Sequence, residues 1–336
     1  MLKNIKEKIR LHGLKKYRSE KKIIFLLSPE HGNLGDEMIA VATEKILKDK
    51  YGEKRIIEIP RKSHMKNKEM IRDIINKNDI IFLPGGGNLG DIWLGEEISR
   101  RQVIEEYKNN KIIIMPQTIK FLSEKEKNIS QKIYSEAEDL TIITREKESF
   151  KMAKEIFDKN KILLAPDTVF YLEDDYVKNL PEERDGVIML MRNDQEKIIT
   201  SIISKKIKSI LKSKNLEIKE SGTVVDSRGR INLENREEIC LDLLKDISKH
   251  KLVITDRLHG MIFAVITNTP ALVFGSSTHK TEGTLKWISH LNYISFVDDP
   301  SNLELIEKEI ERLSGIKVKK DKYLVKEELM KVINKL

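Results

Sequence analysis

Short apolar runs rich in β-branched residues alternate along this chain with longer stretches of helical periodicity. The runs of the first half are "KIIFLL" (22–27), "RIIEIP" (55–60), "DIIFLP" (79–84), "KIIIMPQ" (111–117), "LTIITR" (140–145) and "KILLAP" (161–166). Stretches such as "EEISRRQVIEEYKNN" (96–110) lie between them. Strands that are apolar almost throughout, rather than at every second position, belong to parallel sheets covered by helices on both faces. The pattern restarts with "GVIMLMR" (186–192), "LEIKES" (216–221), "KLVITDR" (251–257), "PALVFG" (270–275) and "YISFVD" (293–298). Between the two series, the acidic "YLEDDYVKNLPEERDG" (171–186) carries Pro181 and Gly186 and breaks the alternation. The expected fold class is α/β, as two doubly wound domains spanning 21–175 and 176–336. Such domains facing each other leave a cleft at the carboxyl ends of their strands, where these sheets bind ligands.

Composition removes several classes of function. With 39% hydrophobic and 35% charged residues, the chain reads as a Lys-rich globular protein. No apolar run approaches the ~18 residues of a spanning helix, and the start of the chain lacks a secretory apolar core. Cys240 is the only cysteine, which excludes disulfides within the chain and Cys-based metal sites. No metal is expected, and a reducing cytoplasm is the default location. The net charge of +8 sits mostly in residues 1–22, where nine Lys/Arg and two Glu leave an excess of +7. No basic face or aromatic platform for nucleic acid is visible elsewhere, so no nucleic acid is expected. A basic helix over residues 1–20 is expected, with Leu2, Ile5 and Ile9 at helical spacing among lysines. That pattern suits a helix lying on an anionic membrane surface, and a solvated basic arm is the alternative.

Function is expected in the loops that follow the strands. The letters GNLGD occur twice, at 32–36 in "SPEHGNLGDE" and at 87–91 in "FLPGGGNLGDIW". Their flanks do not align, which favours two similar loops lining one cleft over a duplicated unit. Gly85, Gly87 and Gly90 satisfy G-x-G-x-x-G, but the next strand ends in "MPQT" with Gln117 where a dinucleotide site wants an acidic residue, so NAD is rejected. Exposed glycine N–H groups at a helix N-terminus would still suit an anion, and close packing of strand on helix is the alternative. In "TDRLHGMIFAV" (255–265), Arg257 and His259 stand where a buried strand yields to an apolar helix beginning near Leu258. An arginine there can take a carboxylate or phosphate in its planar fork, and the histidine can carry a proton. Arg145 also follows a strand, and a surface ion pair is its ordinary alternative.

Taken together and in order, "HGNLGDE", "FLPGGGNLGD", "PQTI", "TREKES", "APD" and "DRLHGMIFAV" resemble the polysaccharide pyruvyl transferase family. The resemblance implies two Rossmann-like domains in a glycosyltransferase-B-like arrangement. It also implies transfer of an enolpyruvyl-derived group from phosphoenolpyruvate to a sugar, forming a cyclic pyruvate ketal. Acceptors of the family are envelope glycans, often on a lipid carrier, which implies work at the inner face of the cell membrane. Phosphoenolpyruvate is the donor substrate, and no separate cofactor is implied. Carried over by motif, the donor contacts fall on Arg145, Arg257, Leu258 and His259. His259 is the candidate acid, and Asp36 or Asp91 the candidate base, with helix caps as the alternative for both aspartates. Gly35, Gly86, Gly87, Asn88, Gln117 and Lys280 complete the expected substrate-binding set. The competing readings are a nucleotide-sugar-dependent glycosyltransferase of the same architecture and a non-catalytic glycan- or anion-binding protein.

Overall fold

The computed structural model describes residues 2–53, 56–173, 181, 183–193, 197–225, 231–275, 279–318 and 324–336. The chain forms two compact units, one made of Met1–His31, Ile39–Thr168 and Leu336, the other of Gly32–Met38 and Val169–Lys335. The boundary expected between residues 175 and 176 lies outside the described residues; the division falls between Thr168 and Val169.

The first unit holds β1 (Ile23–Ser28), β2 (Ile56–Pro60), β3 (Ile80–Leu83), β4 (Gly86–Gly90), β5 (Lys111–Lys120), β6 (Asp139–Thr144) and β7 (Lys161–Leu164). They lie in the order β2-β1-β3-β5-β6-β7, with β4 alongside β5 and the pairings parallel. All six residues of β1 are buried, as a strand covered on both faces requires. The second unit holds β8 (Val187–Leu190), β9 (Ile218–Ser221), β10 (Leu252–Thr255), β11 (Ala271–Phe274) and β12 (Ile294–Val297), parallel in the order β12-β11-β10-β8-β9. Each sheet therefore runs outward in both directions from its first strand. The order reverses between β1 and β3 in one unit and between β8 and β10 in the other, the places where doubly wound sheets bind ligands.

The helices divide by how they are covered. Helix α10 (Leu258–Ile266) is apolar all round and buried over Gly260–Ile266, as expected of a helix enclosed within a core. Helix α12 (Leu303–Ser314) instead buries only Ile306, Ile310 and Leu313, one stripe at helical spacing. Helix α6 (Glu124–Ser135) starts with the sequence Ser-x-x-Glu, and Ser123 Oγ accepts the Glu126 N–H at 3.4 Å.

One expectation needs correction, and of the two readings of the N-terminal segment the alternative falls away. The glycine-rich stretch is not a loop at a helix N-terminus: residues 86–90 are a strand, Gly86 paired with Gln117, and α5 (Leu94–Glu106) begins only after Trp93. The basic N-terminal segment is not a solvated arm. Its helix α1 (Leu2–Leu14) inserts Leu11 into the core of the first unit, and Arg10 donates to the Glu58 carbonyl at 3.0 Å.

Candidate functional site

In the second unit the site forms where β8 and β10 lie side by side. Thr255 Oγ1 donates to the Leu190 carbonyl at 2.8 Å and accepts the Arg257 N–H at 3.0 Å. Asp256 Oδ1 accepts the Arg192 N–H at 2.7 Å. The two strand ends are thus stitched together, and they carry Arg192 and Arg257 side by side. Arg257 is the N-cap of α10, with Nε donating to the Met191 carbonyl at 3.4 Å. Leu258 is buried and anchors the first turn. His259 follows on that turn and stacks on Phe263, with ring centres 6.0 Å apart.

The imidazole lies directly on Gly35. A methyl group on the Gly35 Cα would sit 2.1 Å from His259 Nδ1, so only glycine fits there. Gly35 belongs to the first turn of α2 (Leu34–Tyr51). The first GNLGD copy is held in this unit by Leu34 N–H to the Thr223 carbonyl at 2.7 Å and Val225 N–H to the Gly32 carbonyl at 2.8 Å. Asn33 Oδ1 accepts the Gly35 N–H at 3.1 Å, and its Nδ2 donates to Asp36 Oδ2 at 2.7 Å. Asp36 is therefore a half-buried first-turn residue rather than the cap. Lys280 opens the short helix α11 (Lys280–Leu285).

The second GNLGD copy, in the first unit, has a different conformation and different partners. Asn88 Oδ1 accepts from Arg100 and, at 3.1 Å, from Gln117 Nε2, which also reaches the Pro84 carbonyl at 2.9 Å. Gln117 thereby ties β3, β4 and β5 together. Arg145 Nη2 lies 2.9 Å from where a Gly87 side chain would begin. The Arg145 guanidinium is 1% exposed, with Nη1 donating to Asp167 at 2.7 Å and Nε to Thr118 Oγ1 at 2.8 Å. It is a buried ion pair, not a surface one. Asp91 braces the chain elsewhere: its two oxygens accept the Leu122 and Ser123 N–H groups at 2.7 and 2.6 Å. That duty, at the entry to α6, stands in place of the helix cap that was the alternative to a catalytic base.

A family model for polysaccharide pyruvyl transferase matches residues 33–278, a span that holds Gly35, Arg145, Arg257 and His259. The chain belongs to the polysaccharide pyruvyl transferase family. It is 36% identical over 301 residues to general stress protein 30 of Bacillus subtilis, covering 88% of this chain and 86% of that one. It is 26% identical over 279 residues to pyruvyl transferase 1 of Schizosaccharomyces pombe, covering 76% of this chain and 67% of that one. An uncharacterized Klebsiella pneumoniae protein of known crystal structure shares the fold, with a TM-score of 0.55 at 20% identity over 87% of this chain and 99% of that one.

This pyruvyl transferase family member carries further polar groups at the same strand ends, which the sequence did not single out. Asp256 is fully buried, its Oδ2 has no hydrogen-bond partner among the described residues, and burial raises its carboxyl pKa against the pull of the Arg192 N–H and of the Arg192 and Arg257 guanidinia. In the first unit, Leu27 adopts a left-handed backbone at φ +67°, unusual for a branched side chain, just before Ser28. Ser28 Oγ and Thr168 Oγ1 are buried hydroxyls without partners among the described residues, and Thr168 Oγ1 approaches Gly85. Arg192 ends a run already recognised as a strand; what the letters hid is that β8 lies beside β10. Cys240 is buried, and burial pushes its thiol up to about 12, as suits an inert core residue.

Proposed function

We propose that this chain transfers the enolpyruvyl-derived group of phosphoenolpyruvate to a sugar of a cell-envelope or exopolysaccharide precursor, forming a pyruvate ketal. The observation that carries this reading is His259, seated on Gly35 in the turn that follows Arg257. Phosphoenolpyruvate holds a carboxylate and a phosphate on adjacent atoms. The Arg257 fork, the N–H groups opening α10 and the neighbouring Arg192 suit such a dianion. Arg145 and Lys280 are further proposed donor contacts, with Gly86, Gly87, Asn88 and Gln117 shaping the substrate side of the first unit.

In the proposed mechanism the His259 imidazolium protonates the methylene carbon of the donor, leaving an oxocarbenium-like centre on the adjacent carbon. A sugar hydroxyl attacks that carbon and gives its proton to Asp36. The bond from the same carbon to the phosphate oxygen then breaks, and a second hydroxyl closes the ketal ring, its proton leaving with the departing phosphate. One acid and one base suffice, and the donor is a substrate, so no separate cofactor is proposed. Asp91 is set aside as the base because both of its oxygens brace backbone N–H groups. The proposed architecture is glycosyltransferase-B-like, and the proposed acceptor is lipid-linked, met at the inner face of the membrane. The family membership and the name of the Schizosaccharomyces pombe relative support this reading. The test is phosphate release from phosphoenolpyruvate against a panel of lipid-linked and nitrophenyl sugars. Release that depends on a sugar and yields a ketal is the expected result; donor binding without release under any acceptor would leave a binding protein.

A further inference from the structure

Two neighbouring segments of the first unit are strongly basic. Residues 1–22 carry an excess of +7, and "RKSHMKNKEMIR" (61–72) holds five Lys/Arg against one Glu, an excess of +4. Together they exceed the +8 of the whole chain, so the remaining residues are net acidic by about 3 charges. The segments touch in the first unit. Ser63 Oγ, on α3 (Arg61–Lys66), donates to Glu7 of α1 at 2.5 Å, and Arg10 reaches the carbonyl at position 58. On its other side α3 holds α5: Arg61 donates to Ser99 Oγ and to the Gly95 carbonyl, each at 2.9 Å.

Among the described residues, the same three helices and the N-cap of α5 carry most of the exposed large apolar side chains of this unit. Ile9 on α1 is 67% exposed, Met65 on α3 42%, and on α5 Ile98 is 41%, Leu94 37% and the N-cap Trp93 46%. Leu11, which docks α1, lies on the opposite side of that helix from Ile9, since residues two apart are turned by about 200°. Helix α1 therefore presents an apolar side chain, Ile9, that the core does not use, beside the exposed Lys8. Apolar side chains, an exposed tryptophan and dense lysine on adjoining helices match the chemistry of a lipid–water interface.

We propose that α1, α3 and the start of α5 form one surface that docks on an anionic lipid bilayer, inserting Trp93, Leu94, Ile98 and Ile9 at headgroup depth. This deepens the membrane contact proposed above and is independent of the donor chemistry. The surface is built into the folded unit, so it orients the enzyme on the bilayer instead of tethering it by a loose arm.

The test uses the full chain with Trp287→Phe, which leaves Trp93 as the only tryptophan, since the chain has two. Vesicles of phosphatidylcholine with about one-third phosphatidylglycerol should bind it, shift its emission to the blue and, with brominated acyl chains, quench it. Pure phosphatidylcholine should bind at least tenfold more weakly. Ile9→Glu or Ile98→Glu should each lower partitioning at least tenfold, while leaving phosphate release with a soluble acceptor unchanged. Vesicle binding that leaves Trp93 unquenched would overturn the shared surface in favour of α1 alone. So would a wild-type dimer that Ile98→Glu dissociates, or competition by a single-stranded oligonucleotide stronger than by vesicles. Unchanged partitioning of Ile9→Glu and Ile98→Glu would overturn the docking surface, whereas absence of phosphate release from the wild-type chain that binds vesicles would count against the donor reading only.

Discussion

At Gly35 one methyl group separates a seated imidazole from a displaced one, because the space a Cβ needs is occupied by the His259 ring. Gly35→Ala should therefore cost catalysis about as much as removing the histidine, although residue 35 itself carries no chemistry. His259→Asn keeps size and one hydrogen bond but cannot donate a titratable proton. Its turnover should fall about 100-fold or more, with donor affinity changed far less. If calorimetry shows lost affinity at an unchanged maximal rate, the histidine is a ligand and the acid lies elsewhere. Arg257→Lys keeps the charge and loses the planar fork. Donor binding should weaken by about 1.5–3 kcal/mol, one charge-assisted bond, in a protein whose circular dichroism is unchanged. Unaltered binding would take Arg257 out of the donor site.

Among the elements, the central β-branched runs were plain because parallel strands buried on both faces leave little room for polar residues, and each expected run became a strand, the half-exposed β7 and β9 included. Strand β4 escaped because "GGNLG" has no propensity to be one. Its partners lie far along the chain: the Gly90 N–H meets Glu97 Oε2 at 3.3 Å, and Asn88 is fixed by Gln117 and Arg100. The GNLGD repeat misled for the same reason. Identical letters open helix α2 in one place and run as a strand in the other, so tertiary partners override local pattern. Arg257 and His259 were legible because a strand, an arginine and an apolar helix follow one another directly. Arg192 and Asp256 were not, since their meaning depends on which strands are neighbours. Arg145 at the end of β6 and Asp167 beyond β7 form a further such pair. Asp167→Asn would leave a buried guanidinium short of charge and should cost about 3 kcal/mol in urea unfolding, while joint replacement by Met and Leu should cost much less. Equal losses would mean that packing, not charge, holds that corner.

For the molecule as a whole, acid is a condition that should weaken the first unit. His64 on α3 is fully buried, neither ring nitrogen has a partner among the described residues, and burial pushes its pKa down to about 4 despite Glu106. The unfolded chain then binds the extra proton first. Stability of the first unit should be complete above pH 6.5, fall as pH drops from there to about 4, and level off below, a loss of up to about 3 kcal/mol from this residue. Thermal unfolding followed across that range should show the slope, and His64→Leu should flatten it. The order of the chain also bears on how this protein can be divided. Helix α2 starts among residues assigned to one unit and finishes in the other, since Gly32–Met38 belong with Val169–Lys335. No single cut yields two complete pieces. A gene broken after codon 168 would encode one fragment with a dangling segment and another whose His259 lacks its floor. Such halves could be inherited, shuffled or fused with foreign partners only if residues 32–38 travelled with the distal piece, so recombination that respects the apparent midpoint should yield inactive proteins.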